Sequence, residues 1–250
     1  MRRIVTLLTD FGTADGYVGE MKGVLLSLVD DVEIIDITHD IPPQDVDRAR
    51  LTLARVWRRF PKGSIHVVVV DPGVGSTRNA LAVSSDDRFL VGPDNGVLSP
   101  ALLTRAAQVI ELPVLPTAAA TFHGRDLFAP AAAALARGER LDSLGVPARE
   151  PIILRTPEAK RADDGSVVGE VIAVDHFGNA VTNLIALRGG VVEVNGTTVP
   201  IRRVYAEAEP GAPVAVVGST GFIEIAVRDG DAATQLGISR GTKVVLGTRH

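Results

Sequence analysis

The chain has 250 residues; 46% are hydrophobic, 22% are charged, and the formal net charge at pH 7 is −4. This composition is typical of a globular protein and excludes disordered, collagen-like and coiled-coil chains. Because the sequence has no cysteine, it also excludes disulfide scaffolds, thiolate nucleophiles, zinc fingers and iron–sulfur sites. The length predicts one large α/β unit or two unequal domains, and the acidic balance predicts small molecules or proteins, not nucleic acids, as partners.

The sequence shows no segment suited to entering a membrane. The apolar run at residues 4–8 is interrupted by Thr6 and closed by Asp10, so it is too short for the core of a signal peptide. No other run approaches the roughly 20 apolar residues that span a bilayer. We therefore expect a cytoplasmic protein without a membrane partner.

The first 150 residues alternate between strand and helix patterns. Val18, Met21 and Leu25 recur at helical spacing, and Asp45 is suited to cap a second helix. Residues 65–70 are apolar apart from one histidine, as in strands buried on both faces of a parallel sheet. The patterns predict a doubly wound α/β layer with a mostly parallel sheet. Its strands are expected at residues 4–8, 32–37, 65–70, 81–84, 89–91 and 109–112, and its helices at 17–29, 45–60 and 126–137.

The composition changes at residues 156–166, which are polar, charged and nearly devoid of core residues. We interpret this segment as a linker, so that residues 1–156 form one domain, 157–166 the linker and 167–250 a second domain. Asn195-Gly196 is a strong hairpin signal in the second domain. A small β-barrel or a sandwich fits the short strands expected at residues 168–174, 191–194, 198–204, 213–217, 222–227 and 242–246.

Polar residues follow three predicted strands of the first domain. Asp10 ends the first strand, Asp71 ends the buried strand, and Asp94 and Asn95 follow a shorter one. Ligands of open α/β sheets bind beyond the carboxyl ends of the strands, so these residues are candidates for a binding site. Aspartate and glycine are also common turn residues, which is the simpler explanation for each segment alone.

Two further side chains in the first domain suit catalysis. Arg78 follows the glycine-rich DPGVGST loop, which lacks the ending of a phosphate-binding P-loop. His123 precedes a predicted helix start, where a protonated imidazole is disfavoured, so a neutral side chain is expected. A surface ion pair for Arg78 and a structural hydrogen bond for His123 are the alternatives. No HExxH or HxxxH spacing occurs, so the sequence gives no local support for a catalytic zinc site.

The second domain contains the segment VDHFGNAVTN. Its Asp175, Phe177 and Asn179 combine a carboxylate, an aromatic face and a carboxamide, a set suited to a purine. A hairpin corner with a packing phenylalanine explains the segment equally well.

Seven segments, in this order, resemble the S-adenosyl-L-methionine (SAM) hydroxide adenosyltransferase family, the relatives of fluorinating and chlorinating enzymes. They are TDFGTADGYVGEMKG, THDIPPQDV, VVVVDPGVGSTR, GPDNGVLSP, TFHGRDLFAPAAA, DHFGNAVTN and STGFIEIAVRDGDAA. The resemblance implies a Rossmann-like α/β/α N-terminal domain and a small C-terminal β-barrel. It also implies a homotrimer whose active sites lie between one subunit's N-terminal domain and its neighbour's C-terminal domain.

The resemblance also assigns residues to roles. A water-activating triad carries over onto Asp71, Arg78 and His123, and the halogenating relatives have tyrosine in place of the Asp and the His. Gln44 stands where the fluorinating branch has tryptophan, and Tyr17 where it has a small hydroxyl residue. The predicted substrate-binding residues are Asp10, Phe11, Asp15, Asp94, Asn95, Asp175, Phe177, Asn179, Ser219, Glu224, Val227 and Asp229.

The implied activity is the hydrolysis of SAM to adenosine and L-methionine, with SAM as substrate and no cofactor or metal. Two alternatives stay open: a SAM-dependent halogenase that forms 5′-halo-adenosine, and a non-enzymatic binder of SAM or adenosine. A metal phosphohydrolase that uses Asp10, Asp15 and Asp94 is a weaker third.

Overall fold

A computed structural model of the chain describes residues 3–185 and 189–247. The remaining positions of the predicted domain ranges lie outside the described residues. The chain divides into two compact units between Arg155 and Thr156. The segment 157–166, predicted as a linker, belongs to the second unit, where Lys160 and Arg161 form a strand. In the described part of the chain, no helix combines the length and the apolar character needed to cross a membrane.

The first unit is built on a seven-stranded sheet in the order β2-β1-β3-β5-β4-β6-β7. The neighbours among β2, β1, β3 and β5 pair in parallel, whereas the pairs β5–β4, β4–β6 and β6–β7 are antiparallel. The strands are β1 Arg3–Thr9, β2 Val32–Thr38, β3 Ile65–Val69, β4 Ala80–Ser85, β5 Arg88–Pro93, β6 Gln108–Glu111 and β7 Val146–Pro147.

The sheet is thus mixed. Three of its six strand pairs are parallel, so the prediction of a mostly parallel sheet is confirmed only in part. The cause lies at Asp86 and Asp87, whose φ angles of 47° and 57° are left-handed. Two successive residues with positive φ form the tight turn that joins antiparallel strands, so β4 runs directly back into β5.

Helices cover both faces of this sheet, which confirms the α/β/α layering. Met21 of α1 packs with Val67 and Val69, whereas Leu53 of α2 packs with Val68 on the opposite face. Alternate side chains of a strand point to opposite faces, so β3 is buried on both sides as expected. The helices are α1 Tyr17–Leu28, α2 Val46–Val56, α3 Ser99–Leu102 and α4 Ala129–Ala136, with 3₁₀ turns at Trp57–Arg59 and Leu141–Ser143.

The helix predicted at residues 126–137 begins irregularly. Residues Gly124–Phe128 form a π-helical turn that leads into α4. The N–H of Ala129 bonds to the carbonyl of Gly124, five residues earlier. Pro130 has no N–H to continue a regular α-helical ladder, which accounts for the wider turn. This turn begins immediately after His123.

The second unit is a closed barrel rather than a sandwich. Its ring runs β10-β14-β13-β12-β11-β15-β9, and β9 pairs back onto β10, while β8 extends the sheet beside β9. Asn195 and Gly196, with φ of 47° and 77°, join β11 to β12 and confirm the predicted hairpin. The elements are β8 Lys160–Arg161, β9 Val167–Val174, β10 Ala180–Thr182, β11 Val191–Val194, β12 Thr197–Arg202, β13 Pro213–Val217, β14 Ile223–Val227, β15 Lys243–Leu246, helix α5 Ala232–Gln235 and a 3₁₀ turn at Tyr205–Glu207.

Candidate active site

Three predicted residues of the first unit meet beyond the carboxyl end of β3. Arg78 Nε donates to both carboxylate oxygens of Asp71, at 3.0 and 3.1 Å, and Arg78 Nη2 also donates to Asp71 Oδ2. The same Nη2 donates to His123 Nδ1 at 2.7 Å. The Arg78 and Asp71 side chains are only 9% and 5% exposed, and His123 is buried. A guanidinium held by a buried carboxylate therefore lies directly beside an imidazole.

The glycine-rich loop between β3 and β4 brings Arg78 into this position. Ser76 Oγ donates to the carbonyl of Gly73 and accepts from the N–H of Arg78, which closes the loop tightly. Gly75 has a left-handed φ of 76°, and a Cβ there would collide with the backbone carbonyl of Ala120. Glycine is thus required because the loop approaches the segment that carries His123. Its role is close packing rather than phosphate binding.

The surroundings of His123 keep it neutral. Burial lowers the pKa of His123, and the adjacent Arg78 charge lowers it further, against a smaller opposing effect of Asp71 and Asp126. An arginine side chain has no acceptor, so His123 Nδ1 must accept the hydrogen bond from Arg78. The proton of the neutral ring therefore sits on Nε2. Neutral His123 agrees with the sequence prediction, but burial and Arg78 are the main causes.

Asp10 and Phe11 lie beside this cluster at the end of β1, which pairs with β3. Asp10 Oδ2 accepts a hydrogen bond of 2.7 Å from the main-chain N–H of Gln44. The Phe11 ring packs edge-on against Tyr17 and Phe122, with centroid distances of 6.0 and 5.9 Å. The loops that carry Asp10 and His123 are thus joined through aromatic rings. Asp15 is exposed in the loop before α1.

Asp94 and Asn95 follow β5 and bond to the main chain. Buried Asp94 accepts the N–H of Ile152 at 2.8 Å, and burial raises its pKa. Asn95 donates to the carbonyl of Val70 and accepts from the N–H of Val97. These bonds fix the end of β5 against β3 and the segment that follows β7. Substrate contacts for Asp94 and Asn95 stay a prediction.

In the second unit, the DHFGN segment forms a compact turn. Asp175 Oδ1 accepts from the N–H groups of Phe177 and Asn179, and Oδ2 accepts from the Asn179 side chain. The carboxylate of Asp175 thus holds the turn together, and Phe177 projects from it with 72% of its surface exposed. An exposed ring on a rigid turn is suited to stacking against a planar ligand.

The remaining predicted residues of this unit differ in exposure. Ser219 and Asp229 are exposed on loops, whereas Val227 is buried in β14. Glu224 is buried in the same strand and accepts a hydrogen bond of 2.9 Å from the Tyr205 hydroxyl. Burial, together with this hydrogen bond, raises the pKa of Tyr205 to about 12.

Sequence reasoning missed a buried polar pair behind Asp10. Thr9 Oγ1 hydrogen-bonds to His39 Nδ1 at 2.8 Å and accepts from the N–H of Phe11, while the carbonyl of His39 accepts from the N–H of Gly12. The only available signal was that Thr9 ends β1 and His39 directly follows the neighbouring β2. Among residues 3–185 and 189–247, no three His, Asp or Glu side chains are grouped closely enough to hold a metal ion.

This architecture and the two matching domain profiles define the class of protein: the chain belongs to the SAM hydroxide adenosyltransferase family. The profile of the family's N-terminal domain matches residues 5–145, and that of its C-terminal domain matches residues 169–245.

Among curated proteins, the chain is 43% identical to the (R)-S-adenosyl-L-methionine hydrolase of Thermus thermophilus, over 98% of this chain and 99% of that protein. It is 38% identical to the enzyme of the same name from Salinispora tropica, over 96% of both. Identity to the fluorinase of Actinopolyspora mzabensis is 26%, over 97% of this chain and 96% of that protein.

Solved structures are similar across the whole chain. A conserved protein from Thermotoga maritima matches with a TM-score of 0.88 and 32% identity, over 98% of this chain and 100% of that one. A conserved protein from Thermus thermophilus matches with a TM-score of 0.83 and 40% identity, over 99% and 100%.

Proposed function

We propose that the protein hydrolyses SAM to adenosine and L-methionine. The observation that carries the proposal is the buried arginine held by Asp71 with neutral His123 beside it. Relatives named as SAM hydrolases, which align with nearly the whole chain, support the same reaction. In the family resemblance, halogenating enzymes have tyrosine in place of the aspartate and the histidine, so the presence of Asp71 and His123 favours water as the nucleophile.

The reaction sets a demand on the nucleophile. As water attacks C5′ of SAM, the C5′–O bond forms and the C5′–S bond breaks. The electron pair of that bond leaves with sulfur, and the cationic sulfonium becomes the neutral thioether of methionine. The leaving group therefore needs no proton, whereas the attacking water must lose one. Stabilising a hydroxide-like oxygen is thus the main task of the site.

Arg78 suits this task because hydrogen bonds to neighbouring groups already fix the orientation of its guanidinium. One N–H on Nε and one on Nη2 bind Asp71, the second on Nη2 binds His123, and one on Nη1 donates to the Asn79 carbonyl at 3.3 Å. Among the described residues, no partner takes the fifth N–H group of this guanidinium, on Nη1, and we assign it to the attacking oxygen. Because Asp71 holds the guanidinium plane, that donor is oriented before the substrate binds.

The hydrogen bonds also assign the proton. The lone pair on Nδ1 of His123 already accepts a hydrogen bond from Arg78. The neutral ring therefore offers the attacking water only its Nε2–H, which donates to that water and orients it. Asp71 Oδ1 accepts only from Arg78 Nε among the described residues, and it retains a lone pair. Asp71 is therefore the proton acceptor in this proposal, and the proton passes from it to solvent.

The remaining roles follow the family resemblance. We assign Asp10 to the ribose hydroxyls, Phe177, Asn179 and the backbone near Val227 and Asp229 to adenine, and Asp15, Asp175 and Ser219 to the methionine end. Carboxylates around the ligand favour cationic SAM over its neutral demethylated product. The charge on Arg78 serves the nucleophile directly, so no metal or cofactor is part of the proposal. Phe11, Asp94, Asn95 and Glu224 stay predicted substrate contacts, to which no part of the ligand is assigned.

One experiment tests the reaction. The purified protein is incubated with SAM in water enriched in the heavy isotope of oxygen, with and without chloride, fluoride or a chelator. Adenosine labelled at O5′ together with methionine, unaffected by the chelator, is the expected result. A 5′-halo-adenosine would establish the halogenase instead, and SAM bound but unchanged over hours would establish a binder. Arg58→Lys, at a surface ion pair with Asp86, is the control for an Arg78→Lys variant, which should lose most turnover.

The assembly and location belong to the same proposal. We propose a homotrimer in which the N-terminal unit of one subunit and the C-terminal unit of a neighbour share the substrate. Light scattering gives the subunit number, and mixed trimers of Arg78→Lys and Phe177→Ala subunits should regain activity only if sites are shared. A cytoplasmic location is tested by cell fractionation.

A further inference from the structure

Gln44 has an unusual backbone conformation. Its φ of 68° lies in the left-handed region, which residues with a Cβ rarely occupy. The residue sits in a tight corner: the N–H of Asp45 bonds to the carbonyl of Pro42, and the N–H of Val46 bonds to Gln44 itself. Asp45 then caps α2 through the N–H of Arg48. Left-handed non-glycine residues at functional sites are a form of stored strain that surrounding structure maintains.

The consequence of this conformation is the direction of one N–H group. The Gln44 amide donates to Asp10 Oδ2 at 2.7 Å, across 34 residues of sequence. We propose that Gln44 is a positioning residue whose main-chain N–H fixes the Asp10 carboxylate to receive the two vicinal hydroxyls of a ribose. This inference rests on the proposed function, because it takes Asp10 to be the group that binds the sugar.

The main chain around Asp10 is held separately from its side chain. The N–H of Phe11 bonds to Thr9 Oγ1 at 3.2 Å, and the N–H of Gly12 bonds to the carbonyl of His39 at 2.9 Å. These two bonds fix the loop but not the rotation of the carboxylate, since the last torsion of an aspartate is broad. The Gln44 amide supplies the missing restraint.

The acceptor sites left on Asp10 match the ribose diol that the family resemblance assigns to it. A carboxylate offers about four lone-pair sites, and Gln44 occupies one of them on Oδ2. With that oxygen anchored, Oδ1 and the remaining side of Oδ2 are presented together, one for each of two adjacent O–H donors. A ligand without the two hydroxyls gains nothing from this orientation.

The test changes the backbone preference at residue 44 and removes the hydroxyls from the ligand. Gln44→Val disfavours the left-handed conformation most strongly, whereas Gln44→Gly and Gln44→Asn favour it and keep the N–H. Affinities for adenosine and for 2′,3′-dideoxyadenosine are measured by calorimetry, with kcat and KM for SAM. Asp87→Val, at another left-handed residue, is the control for strain alone.

We expect Gln44→Val to bind adenosine about tenfold more weakly, the factor for one lost hydrogen bond, and to bind dideoxyadenosine as the unchanged protein does. KM for SAM should rise by a similar factor, with kcat changed less than about twofold. The Gly and Asn variants should match the parent in adenosine affinity. If Gln44→Val does not fold, as judged by circular dichroism, Gln44→Ala, whose smaller side chain disfavours the left-handed conformation less strongly, and Gln44→Gly provide the same comparison.

Two results would overturn the inference while leaving the proposed function intact. One is an unchanged adenosine affinity in Gln44→Val, or in Gln44→Ala where the valine variant does not fold. The other is an equal loss for adenosine and dideoxyadenosine, which would show a general disturbance of the site. If the parent protein binds adenosine no better than dideoxyadenosine, Asp10 does not bind the ribose hydroxyls. The inference then fails together with the assignment of Asp10 in the proposed function.

Discussion

Arg78 Nη2 donates a 2.7 Å hydrogen bond to Nδ1 of His123, so the imidazole accepts from a group that cannot itself accept. This arrangement makes His123 a hydrogen-bonding partner of the guanidinium and leaves its Nε2–H to orient water. The histidine and the arginine thus act as one donor array, held in place by Asp71.

The first prediction separates this role from that of a general base. Asparagine places a carbonyl oxygen near the position of Nδ1, so His123→Asn should keep the bond to Arg78, whereas His123→Ala loses it. We expect kcat to fall about tenfold or less in His123→Asn and about 10²–10³-fold in His123→Ala. Steady-state release of adenosine gives both values. Equal losses in the two variants would make His123 the proton acceptor.

The second prediction concerns pH. The pKa of His123 is lowered from its ordinary value of 6.5 by burial and then by Arg78. Protonation would place a proton on Nδ1 facing an arginine donor, so the neutral form is the active one. The acid limb of kcat/KM should therefore fall below pH 6.5, and His123→Asn should lack that limb. A limb centred at or above 6.5 that survives in His123→Asn would contradict the assignment.

The third prediction concerns stability and His66, which is buried in β3 and bonded to Thr6 at 2.7 Å. Burial, with a smaller effect of Arg88, lowers its pKa from 6.5 to about 4. As the pH falls, His66 therefore binds a proton near pH 6.5 in the unfolded chain but only near pH 4 in the folded chain. The free energy of unfolding should fall across this window, by up to about 3 kcal/mol.

Urea unfolding at several pH values checks this effect. The difference between the parent and His66→Asn should shrink as the pH falls from 6.5 towards 4. His176→Asn, at an exposed histidine, is measured in parallel as the control for the substitution itself. A constant difference for His66→Asn would mean that His66 does not resist protonation.

The fourth prediction concerns Phe177, whose ring is 72% exposed. Because little of it is packed, Phe177→Ala should leave the unfolding midpoint unchanged. Loss of stacking on a base should weaken adenosine binding by about 1–3 kcal/mol. Ile185→Ala, at another exposed apolar residue of this unit, should change neither quantity. Calorimetry and thermal unfolding measure the two effects, and an unaltered adenosine affinity in Phe177→Ala would place adenine elsewhere.

The fifth prediction concerns Gly75. A methyl group there is strained by the φ of 76° and collides with the Ala120 carbonyl, whereas Gly211, with φ of 78°, has open space around it. Both Gly→Ala variants should lose about 1–2 kcal/mol of stability from the left-handed backbone. Only Gly75→Ala should also displace Arg78 and lower kcat, by about 10²-fold for a shift of 1 Å. Parallel assays of the two variants would refute this reading if their kcat values agreed.

Local patterns predicted most of the elements and the layering, because periodicity and caps act over a few residues. Asp45 caps α2 as expected, and Asn195-Gly196 makes its hairpin. The mixed sheet was missed because two aspartates, Asp86 and Asp87, adopt left-handed angles that their residue type only weakly signals. The short strands β7 and β8 have too few residues to show a period.

The site was predictable only where residue type suggests chemistry. Asp71, Arg78 and His123 stand at motif positions, but their convergence depends on the approach of Gly75 to Ala120, a contact across 45 residues that no local pattern encodes. The Gln44 contribution is a main-chain N–H, so no side chain marks it in the sequence.

The short strand β7 affects how the protein can aggregate at high concentration. It ends the sheet of the first unit with two residues, one of them Pro147, which has no N–H to offer a further strand. In the second unit, closure of β9 onto β10 pairs the ring with itself, and the strand added beside it is equally short. The borders at β7 and β8 give a foreign chain little backbone to extend, so these two edges should resist the strand-by-strand polymerisation that leads to fibres, and the seven-residue β2 is the longer border of the first sheet.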